Sequence, residues 1–136
     1  MKKLINYFIR VIAITLFSFN LLGEEKVYFV NLEDGQKVKS PVKIIFGLTG
    51  KGVAPAGINY PNSGHHHLLV NLDKLPDFTK AIPTTPNHIH FGRGQTETLL
   101  NLEAGSYTLQ LLFGDMMHIP HKTPLYSEKI KIYVEK

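Results

Sequence analysis

The sequence predicts an all-β protein, an antiparallel immunoglobulin-like sandwich preceded by an N-terminal signal peptide. Helical periodicity is nearly absent after residue 24, whereas β-branched and aromatic runs bounded by Gly, Pro, Asn and Asp recur. Several short strands in roughly 110 residues, separated by turns at this spacing, are typical of a sandwich. The predicted strands are Lys26–Asn31, Val42–Leu48, His65–Asn71, Thr96–Leu102, Tyr107–Phe113 and Glu128–Val134.

The chain begins with the pattern of an export signal. The basic pair Lys2-Lys3 precedes an uncharged apolar run, Val11–Leu22, that is too short to span a bilayer comfortably. We therefore expect residues 1–23 to be a signal peptide and residues 24–136 to be one domain, periplasmic or secreted. That domain would meet the membrane only through the signal peptide before cleavage. An uncleaved anchor is the alternative, because Leu21–Gly23 is a poor cleavage site.

Turn-forming residues divide the predicted domain. Glu103–Gly105 predicts a tight hairpin between two alternating strands. The segment Ile130–Val134 alternates apolar and polar residues, which indicates one buried and one wet face. Two longer stretches, Thr49–Gly64 and Asp73–Asn87, are irregular and rich in Gly or Pro. Loops of this length are often functional, and these two flank histidine-rich segments.

Charge and composition exclude several classes of function. The net charge of +4 includes three basic residues of the leader, so the domain from Glu24 onward carries only +1. Without a basic stripe or an aromatic RNA-reading motif, no nucleic-acid partner is expected. The absence of cysteine excludes disulfides, thiolate nucleophiles, iron–sulfur clusters and blue-copper sites. Gly92-Arg93-Gly94 lacks the third glycine of a dinucleotide motif and predicts a turn.

All seven histidines lie between His65 and His121, in three short groups. Because groups so far apart in sequence converge only through folding, their clustering indicates one site. Imidazole is the commonest metal ligand. Alternate residues of a strand share a face, so the first two groups each offer two rings on one side, and a tight turn could present the rings of the third. The predicted metal ligands are His65, His67, His88, His90, His118 and His121.

The histidines also have less specific interpretations than a metal site. A hydrogen-bonded structural network and unrelated exposed histidines are both alternatives. His66 shares the expected core face with Leu68, which favours a structural role. Asp115 either accepts a histidine N–H or stabilises a turn through its side chain. Glu97, on an alternating strand, is interpreted as a surface charge.

The histidine segments also carry a family resemblance. The chain resembles a small, exported bacterial family known only as a domain of unknown function. The resemblance covers about Val27 to Val134, and what it implies is a secreted single-domain protein. The motifs that carry it are Gly64-His65-His66-His67-Leu68-Leu69, Asn87-His88-Ile89-His90-Phe91-Gly92 continuing to Gly94-Gln95-Thr96-Glu97, and Gly114-Asp115-Met116-Met117-His118-Ile119-Pro120-His121.

Three functional hypotheses follow. The preferred one is a histidine-rich metal-binding protein of the cell envelope, for metal binding or delivery, with a copper ion ahead of a zinc ion. The alternative is an interaction module without metal, whose long loops contact an envelope protein or a glycan. An enzyme with an open metal position is the third and is not favoured, because no acid–base pair or nucleophile stands out.

Overall fold

The computed structural model describes residues 23–136, and apart from Gly23 the predicted signal peptide lies outside them. The described residues form ten strands and no helix, so the predicted all-β fold is confirmed. No helix in this part of the chain is long and apolar enough to cross a membrane. The strands are β1 Lys26–Phe29, β2 Lys37–Lys39, β3 Val42–Thr49, β4 Gly52–Val53, β5 Ser63–Val70, β6 His88–His90, β7 Glu97–Leu100, β8 Gly105–Gly114, β9 Pro120–Tyr126 and β10 Ile130–Glu135.

Two sheets make the sandwich. The smaller has the order β1-β3-β7, and the larger has the order β2-β10-β8-β5-β4, with β6 paired to β5 and β9 paired to β8. The pairing is mostly antiparallel, but β2–β10 and β4–β5 are parallel. Strand β8 is central to the larger sheet, since it pairs with β5, β9 and β10.

The main core lies between the two sheets. Strand β3 contributes Ile44 and Phe46 from the smaller sheet, and β5 and β8 contribute Leu68 and Leu111 from the larger one. All four are at most 5% exposed. At roughly 1.5–3 kcal/mol for each fully buried large apolar side chain, this core is the main stabilising feature of a chain without disulfides.

Two predicted connections are corrected. Glu103–Gly105 does not close a hairpin, because β7 pairs with β3 in one sheet whereas β8 lies in the other. Leu100 and Leu102 pack against the core at this crossing, and burying them takes precedence over the local turn preference. The tight turn suggested for the third histidine group holds His118 alone, because His121 lies in β9. Pro120, its first residue, occupies a position where a strand tolerates a missing N–H.

The larger sheet is covered on its outer side as well. Leu69 and Leu112 pack there against Ile82, with Leu72 and Phe78 from the same long loop around them. Strand β5 is therefore buried along its whole length on both faces. A histidine side chain of β5 that points away from the main core therefore contacts other residues of the protein instead of solvent.

Candidate metal centre

The floor of the site is formed by His65 and His67 of β5. Both point to the outer side of the larger sheet, as the strand period predicts, and both are 0% exposed. In the β5–β8 register His65 lies opposite Gly114 and His67 opposite Leu112. A Cβ on Gly114 would lie 3.1 Å from Cε1 of His67. A larger residue would crowd the ring, so glycine there makes room for His67.

Strand β6 brings a third imidazole beside these two. His90 pairs with His67 in the β5–β6 register, so both rings stand on the same face. Phe91 turns into the main core and packs on Phe46, which anchors the end of the strand. Gly92 follows, and a Cβ there would collide with the His90 ring. The turn predicted for residues 92–94 is confirmed.

A tight turn after β8 supplies the fourth ring. His118 adopts a φ of +66°, in the left-handed region that residues other than glycine seldom occupy. Asp115 holds this turn, because its carboxylate accepts the backbone N–H groups of Met117 and Ile119 at 2.8 and 3.0 Å. The N–H of Ile82 donates to the His118 carbonyl at 2.8 Å. Several contacts thus hold an unfavourable backbone conformation that presents the ring.

The four rings form one compact group, which we call the histidine cluster: His65, His67, His90 and His118. Their centroids lie between 4.7 and 6.0 Å apart. One nitrogen from each of His65, His90 and His118 lies within 4.8 Å of the others. Nε2 of His90 and Nε2 of His118 are 3.1 Å apart. All three histidine groups of the sequence contribute to this cluster.

Two members of the cluster are buried without hydrogen bonds. Neither nitrogen of His65 nor of His67 has a partner within the described chain. A buried donor or acceptor left unpaired costs about 1–3 kcal/mol, so natural folds rarely keep four such atoms in one place. Buried ring nitrogens without a hydrogen-bond partner could be satisfied by a bound cation.

Burial also sets the protonation state of these rings. Desolvation, followed by repulsion from His90 and His118, lowers the pKa of His65 to about 4, against a smaller opposing effect of Asp115. Desolvation and the neighbouring imidazoles lower the pKa of His67 to about 3, against a smaller opposing effect of the His65 backbone. The pKa of His90 is lowered as well, by burial and by His118. These three rings are neutral at pH 7, the state in which imidazole binds metal.

Two predicted ligands lie outside the cluster. Nδ1 of His88 shares a hydrogen bond of 2.9 Å with the hydroxyl of Thr85. His121 stacks on Phe113 at a centroid distance of 5.9 Å and therefore lies with that core residue. Its Nε2 is buried without a partner, and burial together with Lys51 lowers its pKa.

The acidic residues considered in the sequence have structural roles. Glu97 forms an exposed ion pair with Lys43, at 3.4 Å, which confirms it as a surface charge. Asp115 serves the turn that carries His118. The sequence did not single out Gly92 and Gly114 as space-makers for histidine rings. Their positions in the sequence could have indicated this role, because Gly92 directly follows His90-Phe91 and Gly114 directly precedes Asp115.

His66 lies on the opposite face of β5 from the cluster. It is 0% exposed, and its ring is 5.1 Å from those of both Phe46 and Phe113. Neither of its nitrogens has a hydrogen-bond partner, and burial lowers its pKa to about 4. The structural role expected for this residue agrees with its position in the aromatic core.

Replacing His66 by leucine should stabilise the protein. The His66→Leu substitution removes an unpaired polar ring from an apolar site, so we expect the free energy of unfolding to rise by about 1–3 kcal/mol. Urea unfolding at pH 7 measures the change. A loss of stability would mean that the His66 nitrogens have a partner in solution.

Comparison with known proteins adds a family to this geometry. Residues 44–135, which contain every histidine, match the family model described as "Domain of unknown function (DUF4399)". No curated protein matches the chain significantly. Among solved structures, the chain is similar to the endo-beta-1,4-mannanase from Thermotoga petrophila, with 17% identity over 90% of its own length and a TM-score of 0.48. It spans 21% of the length of that enzyme chain.

Proposed function

Since the chain belongs to the DUF4399 family, whose description assigns no activity, we propose from the site itself that this is an exported metal-binding protein of the cell envelope. The histidine cluster is the proposed site, and its role is to bind or deliver a metal ion. Copper is favoured over zinc, because nitrogen donors bind copper more tightly in the general order of metal affinities.

One observation carries this proposal: two fully buried imidazoles, His65 and His67, face two further imidazoles with no hydrogen-bond partner for any of their own four nitrogens. A structural histidine network, the main alternative, requires donors and acceptors that engage the rings. Neither ring makes a hydrogen bond of good geometry with the described residues, and the one polar contact that acts on them is that of the His65 backbone, which opposes the fall in the pKa of His67. A cation would satisfy ring nitrogens that are otherwise a source of instability.

The role of Asp115 supports the same function. Its carboxylate fixes the turn that presents His118, and its negative charge favours positive charge at His65. Residues that position a metal ligand without touching the ion are a common feature of metal sites, and their loss typically lowers metal affinity 10–100-fold.

Titration of the metal-free domain tests the proposal. Cu(I), Cu(II) and Zn(II) are each added to residues 24–136, and we expect one ion to bind per chain. A His65→Ala/His67→Ala variant should lose that ion, because both inner rings are gone, whereas His88→Ala should retain it. The absence of stoichiometric binding by all three ions at micromolar protein would refute a metal function.

An interaction module remains the second candidate. Ile58 and Tyr60, two residues apart in the loop before β5, are 52% and 68% exposed, and a contiguous exposed apolar patch is typical of an interaction site. A Tyr60→Ser variant that loses an envelope partner while metal content stays unchanged would support this function. Unchanged partner recovery would count against it.

A further inference from the structure

We infer that three rings of the cluster hold the ion, those of His65, His90 and His118, and that its fourth coordination position takes a small exogenous ligand, either water or a small anion. His67 is then not a metal ligand but hydrogen-bonds the exogenous ligand. This inference rests on the proposed metal function and specifies what else the same site binds. The positions of the nitrogens, the angles between the rings and the surroundings of His67 support it.

Three of the four rings bring their nitrogens together. One nitrogen from each of His65, His90 and His118 lies within 4.8 Å of the others, and no nitrogen of His67 belongs to this converging group of the described residues. Two nitrogens bound to one ion at about 2.0–2.1 Å are at most about 4.2 Å apart, and about 3.3 Å apart in a tetrahedron. The Nε2 atoms of His90 and His118 are already 3.1 Å apart. Small rotations of the three rings therefore bring all three nitrogens to bonding distance of one ion.

The angles between the ring planes separate His67 from this group. The lone pair of an imidazole nitrogen lies in the plane of its ring, so rings that bind one ion have planes that meet at that ion. The planes of His65, His90 and His118 are steeply inclined to one another, at 71°, 83° and 60°. His67 instead stacks on His90, with only 29° between the planes and 5.2 Å between the centroids. Stacked planes so nearly parallel do not meet close to the rings, so these two rings do not direct nitrogens at the same point.

Three imidazoles leave one position of a four-coordinate ion to another ligand. No carboxylate belongs to the converging group, and the carboxylate of Asp115 accepts the N–H groups of its own turn. Imidazole binds a metal in its neutral form, so an ion held by three of them keeps its full positive charge. Three protein ligands with water or substrate in the fourth position are the arrangement of catalytic zinc sites, whereas structural sites have four protein ligands. Because His90 and His118 are only half-buried, water or a small anion can reach this position from solvent.

The surroundings of His67 suit a hydrogen bond to such a ligand. The ring is 0% exposed, its centroid lies 4.8, 5.2 and 6.0 Å from those of the other three rings, and neither of its nitrogens makes a hydrogen bond of good geometry with the described residues. A neutral imidazole has one N–H donor and one acceptor, so it can donate to an anion or accept from a water. The space beside it is small, since a Cβ on Gly114 would lie 3.1 Å from Cε1 of His67 and from Cδ1 of Ile82. These surroundings favour a ligand of only a few atoms.

Azide binding to the Co(II)-loaded protein tests the inference. The visible bands of Co(II) respond to a change of ligand, and azide is a small anion that binds an open metal position. We expect azide to shift these bands saturably, with one azide per ion. His67→Leu should keep one Co(II) per chain by elemental analysis, while its Kd for azide rises by about tenfold because a hydrogen bond to a charged ligand is lost. His67→Gln, which keeps a hydrogen-bonding group, should recover most of the azide affinity.

The outcomes separate this inference from the proposed function. Loss of the ion from both His67 variants, as from His65→Ala, would show a closed site of four histidines and overturn the inference while leaving a metal site in place. A spectrum that azide does not change, or an azide affinity that His67→Leu does not lower, would overturn it as well. If another ion binds in place of Co(II), retention or loss of that ion by the His67 variants decides in the same way, and failure of every ion to bind would overturn both. His66→Leu is the matched control from the same histidine run, and it should retain the ion and the azide affinity, since its ring lies on the other face of β5.

Discussion

Lowering the pH from about 7 to about 5 is expected to remove several kcal/mol from the stability of the metal-free protein. The pKa values of His65, His66 and His67 fall from 6.5 to about 4, 4 and 3 on folding, chiefly through burial. Below pH 6.5 the unfolded chain therefore binds protons that the folded chain does not. The free energy of unfolding therefore has its highest value above pH 6.5 and falls progressively as the pH drops toward 4.

The size of this effect is large for one domain. At pH 5 each such group contributes about 2 kcal/mol of destabilisation, so three groups approach the 5–15 kcal/mol that holds a typical domain together. Urea unfolding at pH 7, 6 and 5 measures the loss. His66→Leu should reduce it by about one third, because one of the three rings is gone. A free energy of unfolding that does not change between pH 7 and 5 would contradict the buried, neutral state of these rings.

Gly92→Ala should weaken metal binding without removing any nitrogen. The new Cβ would occupy the space of the His90 ring, and since that ring is the more movable partner, it must rotate away from the cluster. Misplacing one of the ligand rings should lower the affinity by about 10–100-fold, the range seen when the support of a ligand is lost. Competition with a metal chelator measures the affinity.

Gly105→Ala is the matched control for this substitution. Gly105 begins β8, is exposed, and a Cβ there would meet only the Tyr107 ring at an ordinary distance of 3.7 Å. The Gly105→Ala substitution should leave the metal affinity unchanged. Both variants should retain their strand signal in circular dichroism. Equal affinities for Gly92→Ala and the unaltered protein would show that His90 does not hold the ion.

The strand period allowed the sides of the first five histidines to be predicted, those of the first two groups. Because successive side chains of a strand alternate, His66 was expected on the core face and His65 and His67 on the other, and the structure has this arrangement. Likewise, the side chains of His88 and His90 point to the same side of their strand, and that of Ile89 points to the other side. Such local geometry depends only on the backbone, so it can be inferred before any long-range contact is known.

What covers the outer face could not be inferred in the same way. The covering residue Ile82 comes from an irregular loop without a periodic signal. The position of His121 was unpredictable for a related reason. An irregularity between Phe113 and Gly114 shifts the β8–β9 register, and no property of the sequence encodes that shift visibly.

The different depths of the four cluster rings have a kinetic consequence. His65 and His67 are enclosed, whereas His90 and His118 are only half-buried. An ion that reaches the inner pair must pass the outer pair, so entry and departure share one gate. Of the four rings, only His118 stands on a turn, whereas the other three stand on paired strands. The residence time of a bound ion would then depend on how often that turn opens, and a recipient that displaces the turn would speed the transfer, while the relative affinities of the two proteins would still set its extent.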